Sequence, residues 1–79
     1  GPRNEKVDVL VEALRRMKKK PDECVLIGDT KFDAIGAAKL GMECIGVSNG
    51  YGTKEELAAE GAVTVLSSMK EVERYLEKR

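Results

Sequence analysis

Asp29 and Asp33 follow an apolar run, Val25-Leu26-Ile27-Gly28, that reads as a buried strand. At a strand end and the start of the next helix, such a pair of carboxylates can do either of two jobs. Thr30 followed by Asp33 fits a capping box, in which the hydroxyl takes an orphan helix N–H and the carboxylate reaches back to the cap. Asp29 is not needed for that task, and two ionised carboxylates at one helix start repel unless a cation lies between them. A hard cation such as Mg2+ suits carboxylate oxygens supplemented by water. The spacing leaves capping and metal binding both open, and Asp33 can serve in either. Cys24 and Cys44 offer less: with no C-x-x-C spacing and no histidine in the chain, they read as small buried hydrophobes in a reducing compartment.

The elements that must position these residues follow from periodicity and caps. Asn4 is expected to cap a helix whose apolar positions Val7, Leu10, Val11, Leu14 and Met17 recur at steps of three and four, with Pro21 and Asp22 ending it. Residues 24–27 read as a strand, and residues 30–40 as a helix stopped by Gly41. Residues 43–47 form a second strand and lead into the loop Ser48-Asn49-Gly50-Tyr51-Gly52. Thr53 and Glu56 have the spacing of a capping box for a short helix ending at Gly61. Residues 62–66 are a third strand, and Ser68 with Glu71 opens a last helix with Met69, Val72, Tyr75 and Leu76 on its apolar side. Strands separated by helices imply an α/β fold, here a three-stranded parallel sheet with four helices. In such sheets ligands sit beyond the carboxyl ends of the strands, where Asp29 and Ser48 fall.

Composition bounds the function. The chain has 79 residues, with 14 basic and 14 acidic, so it carries no electrostatic footprint for nucleic acid or an anionic membrane. The run Lys18-Lys19-Lys20 reads as a solvated helix end, where cations are favourable. No stretch approaches the roughly 18 apolar residues of a membrane span, and no signal-peptide pattern opens the chain, so a cytoplasmic setting is expected. Gly1-Pro2 looks like the remnant of a cleaved tag, leaving residues 3–79 as one α/β domain.

The pattern Lys6 … Val25-Leu-Ile-Gly-Asp-Thr-Lys-Phe-Asp33-Ala-Ile-Gly-Ala-Ala-Lys-Leu-Gly41 … Ile45-Gly-Val-Ser-Asn-Gly-Tyr-Gly52 … Glu55-Glu-Leu … Gly61-Ala resembles the C-terminal half of haloacid dehalogenase-like phosphatases, of the phosphoglycolate phosphatase type. The resemblance runs from about Arg3 onward. It implies a Rossmann-like core and hydrolysis of a small phosphorylated substrate through an aspartyl-phosphate. In that family a D-x-D motif supplies nucleophile and general acid/base, and a Ser or Thr after another strand holds the phosphoryl group. A Lys neutralises that group, and the G-D-x-x-x-D carboxylates anchor Mg2+. Lys6 matches the lysine; Asp29 and Asp33 match the metal anchors. No D-x-D occurs in this chain, nor does the strand with the Ser/Thr motif or the substrate-selecting cap, and Lys18-Lys19-Lys20 replaces a glycine-containing loop.

Two functions of different class follow. In the first, the chain is the C-terminal part of a Mg2+-dependent phosphate monoester hydrolase, inactive alone, weak in its metal binding and completed by a missing N-terminal segment. In the second, it is a standalone or engineered α/β fragment that acts as a folding or self-association module. The runs "CVLI", "CIGV" and "AVTVL" are apolar at successive positions, as in strands buried on both sides, yet only the last helix remains for one face. A homodimer or higher oligomer is therefore expected, through the free edge of residues 24–27, the exposed sheet face or an exchanged helix.

Overall fold

Residues 5–79 are described by the computed structural model, without the side chain of Tyr51; the expected Asn4 cap and Gly1-Pro2 lie outside the described residues. The first helix, α1 (Glu5–Met17), has Glu5 and Asp8 in its first turn and Arg15 and Arg16 in its last, each sign at the end where the helix dipole favours it. It stops before Pro21. Lys18 takes the left-handed conformation at φ 56°, its N–H bonds the Arg15 carbonyl at 3.2 Å, and the Lys19 N–H reaches the Leu14 carbonyl at 3.1 Å. Lysine thus fills a helix-ending position that glycine usually takes. Pro21 and Asp22, expected to end the helix, instead open a short 3-10 turn, Pro21–Glu23, whose Glu23 carboxylate accepts the Lys20 N–H at 2.9 Å.

Three parallel strands follow, β1 (Val25–Gly28), β2 (Glu43–Val47) and β3 (Thr64–Leu66), in the spatial order β1-β2-β3. Between the first two lies α2 (Lys31–Leu40), closed by Gly41 at φ 71° as the sequence predicts. Between the second and third lies α3 (Tyr51–Ala59), which starts two residues before the expected Thr53 cap. Ser48 accepts the Gly50 N–H at 3.0 Å, closing a turn directly after β2, and the Lys54 N–H then bonds the Gly50 carbonyl at 2.9 Å. The helix therefore begins at once, and the Thr53/Glu56 box is not formed. β3 is shorter than the expected 62–66, because the Ala62 N–H is taken by the Leu57 carbonyl at 3.0 Å in closing α3. The last helix, α4 (Met69–Glu77), forms its expected box: Ser68 accepts the Glu71 N–H at 3.2 Å and the Glu71 carboxylate accepts the Ser67 N–H at 2.8 Å.

The sheet separates two cores of unequal size. On one face Leu14, Ala34, Ala37, Met42, Cys44 and Leu57 form a single buried cluster, with Leu26 and Val65 packed against it, so α1, α2 and α3 share that side. Ile45 and Val72 are fully buried on the other side, where α4 packs on β2 and β3. Alternation along the strands puts Val25 and Ile27 on this second face as well. There Val25 stays 37% exposed, and on α4 Met69 and Leu76 stay 55% and 42% exposed. The second face is therefore covered over β2 and β3 and left open toward β1. No helix among the described residues is long and apolar enough to cross a membrane.

Candidate functional site: a carboxylate shared between strand, loop and helix

The end of β1 and the start of α2 are built around the side chain of Asp33, which is 6% exposed. Its Oδ2 accepts three hydrogen bonds of 3.1 Å, from the Asp29 N–H, the Thr30 N–H and the Thr30 hydroxyl. Its Oδ1 pairs with the Lys6 ammonium at 2.7 Å. One carboxylate thus closes the capping box, orders the Gly28-Asp29-Thr30 turn and ties α1 to the sheet. Burial alone would raise the Asp33 carboxyl, but the Lys6 ion pair and the Thr30 donors outweigh it and hold the group below its ordinary range. Asp33 is therefore ionised throughout the neutral range.

Two glycines make room for this arrangement. A Cβ on Gly28 would lie 2.4 Å from the Asp33 Cβ, so only glycine lets that side chain fold back against the strand end. A Cβ on Gly36, in the middle of α2, would lie 2.8 Å from the Lys6 Cγ. Gly36 is thus the seat over which the lysine stem passes, and the neighbouring Ala34 and Ala37, also buried, let α1 approach α2. Sequence reasoning did not assign either role. The available signal was the helix-interior glycine itself, which costs about 1 kcal/mol relative to alanine and so implies a close neighbour.

Of the three residues singled out from sequence, the structure brings Lys6 and Asp33 into direct contact and sets Asp29 one residue past the strand on the same turn. Asp29 is exposed, and its carboxylate has no hydrogen-bond or ion-pair partner among the described residues. Its oxygens suit a hard cation that keeps most of its waters. Asp33 has one oxygen filled by three donors and the other shared with Lys6, so only a remaining lone pair of Oδ1 can face an ion or a water bound to it. Among the described residues no cluster of three or more Cys, His, Asp or Glu side chains could by itself hold a metal. Ser48, also past a strand end, is spent on its own turn through the Gly50 N–H. Cys44 is buried beside the cluster, and burial followed by the Asp33 charge raises its thiol above the ordinary value, which suits an inert core residue.

The family model described as "HAD-hyrolase-like" matches residues 6–72, a span that begins at Lys6 and contains the whole carboxylate cluster. A predicted phosphatase from Clostridium acetobutylicum has a solved structure that superposes with a TM-score of 0.82 at 34% identity, over 92% of this chain and 34% of that one. A haloacid dehalogenase-like hydrolase from Streptococcus pneumoniae gives a TM-score of 0.79 at 30% identity, over 89% of this chain and 33% of the other. In sequence the chain is 30% identical over 77 residues to a 5'-nucleotidase of Pseudomonas aeruginosa, covering 98% of this chain and 35% of that protein. A tyrosine-protein kinase, PtkA, of Mycobacterium tuberculosis is 42% identical over 52 residues, or 66% of this chain and 18% of its own. The chain spans about a third of the length of the two solved relatives and of the nucleotidase. The matched span, the parallel sheet and the G-D-x-x-x-D turn agree, and the chain belongs to the haloacid dehalogenase-like hydrolase family.

Proposed function

We propose that this chain is the part of a Mg2+-dependent phosphate monoester hydrolase that anchors the metal and supplies the lysine facing the phosphoryl group. The observation that carries the reading is the 2.7 Å contact of Lys6 with Asp33 on the turn that also presents Asp29. When bound, the cation offsets charge that develops on the phosphoryl oxygens. Asp29 would hold it by its carboxylate. Asp33 fixes the turn through three hydrogen bonds and holds the lysine in place through the 2.7 Å ion pair. The Lys6 side chain is 37% exposed and so stays open to an anion. The nucleophile and the substrate-selecting elements belong to the remainder of the enzyme, and the phosphoglycolate type of substrate rests on the sequence resemblance.

The site offers one unshared carboxylate, so affinity for Mg2+ should be millimolar or weaker. At a concentration equal to its dissociation constant the ion adds only about 0.4 kcal/mol of stability, so the test is a titration followed by amide NMR. Shifts should centre on residues 28–33 and vanish in Asp29→Asn. The 79-residue chain should not hydrolyse p-nitrophenyl phosphate above background, whereas a chain extended through a D-x-D segment encoded upstream should do so and lose activity in Asp29→Asn. Mg2+ shifts that persist in Asp29→Asn would remove the reading.

A further inference from the structure

We infer that the sulfur atoms of Met17, Cys24 and Met42 form a binding site for a soft monovalent cation, Cu(I), at the opposite end of the sheet from the Asp29 turn. The chain has two cysteines and three methionines. Met17, Cys24 and Met42 border one pocket of about 190 Å3 between α1 and the sheet, together with Leu10, Leu14 and Leu26. None of the described residues that line it carries a charge. The strand register accounts for two of the three sulfurs. Val25 stands opposite Glu43, so Cys24 and Met42 lie side by side one step earlier, at the amino ends of β1 and β2, where strand spacing sets their backbones about 5 Å apart. Alternation turns both toward the helix-covered face: Met42 belongs to the buried cluster there, and half-buried Cys24 packs against it. Met17 is the last residue of α1 and borders the pocket from the solvent side, on a side chain flexible enough to swing inward. The site draws on α1, β1 and the start of β2, and on nothing along the far edge of β1.

Donor chemistry selects the occupant. Thiolate and thioether sulfurs favour Cu(I), whereas the carboxylate turn at the other end of the sheet suits hard cations. On binding, the Cys24 S–H bond breaks, its proton passes to water and an S–Cu bond forms, while Met17 and Met42 each give a sulfur lone pair. The metal arrives and stays as Cu(I), so no electron is transferred. One thiolate with one monovalent ion is neutral, and a neutral complex can sit among leucines. A divalent ion in the same place would leave a net positive charge that an apolar pocket disfavours. The lysines at 18–20 and the Asp22 and Glu23 carboxylates occupy the segment between Met17 and Cys24, and their charges act little on a neutral complex. Cys44 stays out of the ligand set, because burial and the Asp33 charge keep its thiol protonated. Packing alone does not call for sulfur here: leucine fills the neighbouring positions 10, 14 and 26.

Titration of the reduced 79-residue chain with Cu(I), presented as its bicinchoninate complex in anaerobic, thiol-free buffer, tests this through the chelator's colour and the NMR signals of the methionine methyl groups. The chain should draw a single ion from the chelator. The Met17 and Met42 methyls should shift, the Met69 methyl should stay, and excess Mg2+ should not displace the ion. Binding releases a proton and should weaken as pH falls. Cys24→Ser should weaken it about a hundredfold or more, and Met17→Leu and Met42→Leu about tenfold each, with Met69→Leu unchanged. Leucine nearly conserves the volume of methionine, and circular dichroism checks that each variant is folded. Should Cys24→Ser fail to fold, the methyl shifts and the two leucine variants carry the test. A chain that takes no Cu(I) from bicinchoninate would overturn the proposal. So would affinity unchanged in the Met17→Leu/Met42→Leu double variant, or binding kept in Cys24→Ser and lost in Cys44→Ser.

Discussion

Replacing Asp33 with alanine removes the acceptor of three hydrogen bonds and one partner of an ion pair. A capping interaction contributes about 1 kcal/mol, and the part-buried N–H groups of Asp29 and Thr30 would be left to find water. The ion pair lies between the usual classes: the Asp33 side chain is 9% exposed and the lysine 37%. Exposed pairs contribute roughly 0.2 to 1 kcal/mol, whereas breaking a buried pair costs roughly 3 to 5. We therefore expect Asp33→Ala to cost about 3 kcal/mol, a large share of the roughly 4 to 12 kcal/mol available to a domain this size. Asp33→Asn keeps the shape and an acceptor and should cost about half as much. Lys6→Met keeps the stem over Gly36 and removes only the charge. A double-mutant cycle of these two should give a coupling energy of about 1 kcal/mol. Urea unfolding followed by circular dichroism at fixed protein concentration measures all four corners, each kcal/mol moving the midpoint by up to about 1 M. A coupling below about 0.3 kcal/mol, or an alanine cost below about 1, would refute the view that this carboxylate holds the turn and α1 together.

Lys18→Gly should stabilise the chain by about 0.5 to 1 kcal/mol, read as a rise in urea midpoint, because φ 56° strains a residue with a side chain while glycine's freer unfolded chain returns part of the gain. Gly28→Ala should cost about 1 to 3 kcal/mol through the 2.4 Å clash with the Asp33 Cβ, and calorimetry would show it as a lowered Tm; an unchanged Tm would mean that the turn opens freely. In acid, stability from the depressed Asp33 carboxyl is fully present above the unfolded value of about 3.9 and is lost as pH falls through the lower folded value. The parent chain should therefore lose stability below about pH 4 more steeply than Asp33→Asn, and parallel curves would show that another carboxylate governs acid unfolding.

The strands and helices were legible because each hydrophobic run is short and bounded by a turn residue or cap, and because Thr30 with Asp33 and Ser68 with Glu71 specify helix starts through local hydrogen bonds. Where prediction slipped, a neighbour outside the local pattern intervened. Ser48 closed a turn that started α3 early, and a lysine accepted a backbone conformation better suited to glycine. Val11 and Met17 fit the helical period of α1, yet they are 47% and 55% exposed because the stripe flanks the contact with α2 and only Leu10 and Leu14 enter it fully. At the site, the types and spacing of Asp29 and Asp33 suggested a role, but the division of labour was not readable. The number of donors that converge on one oxygen is a property of the folded turn, and the contact between Lys6 and Asp33 joins positions that no helical or strand period relates.

The unequal coverage of the sheet also sets how the molecule breathes. α4 covers the second face, where Val72 and Ile45 are both fully buried, and it is held by its own cap and the 2.8 Å Arg79–Glu43 contact. Its release leaves both strand pairings and the opposite core intact. Local opening needs only the free energy of the contacts it gives up, so the α4 amides should exchange with solvent through a sub-global event well below the cost of unfolding β2. The C-terminal helix is then the element by which the fold first loosens, while the turn around Asp33, anchored in the larger core, stays closed until the whole domain unfolds.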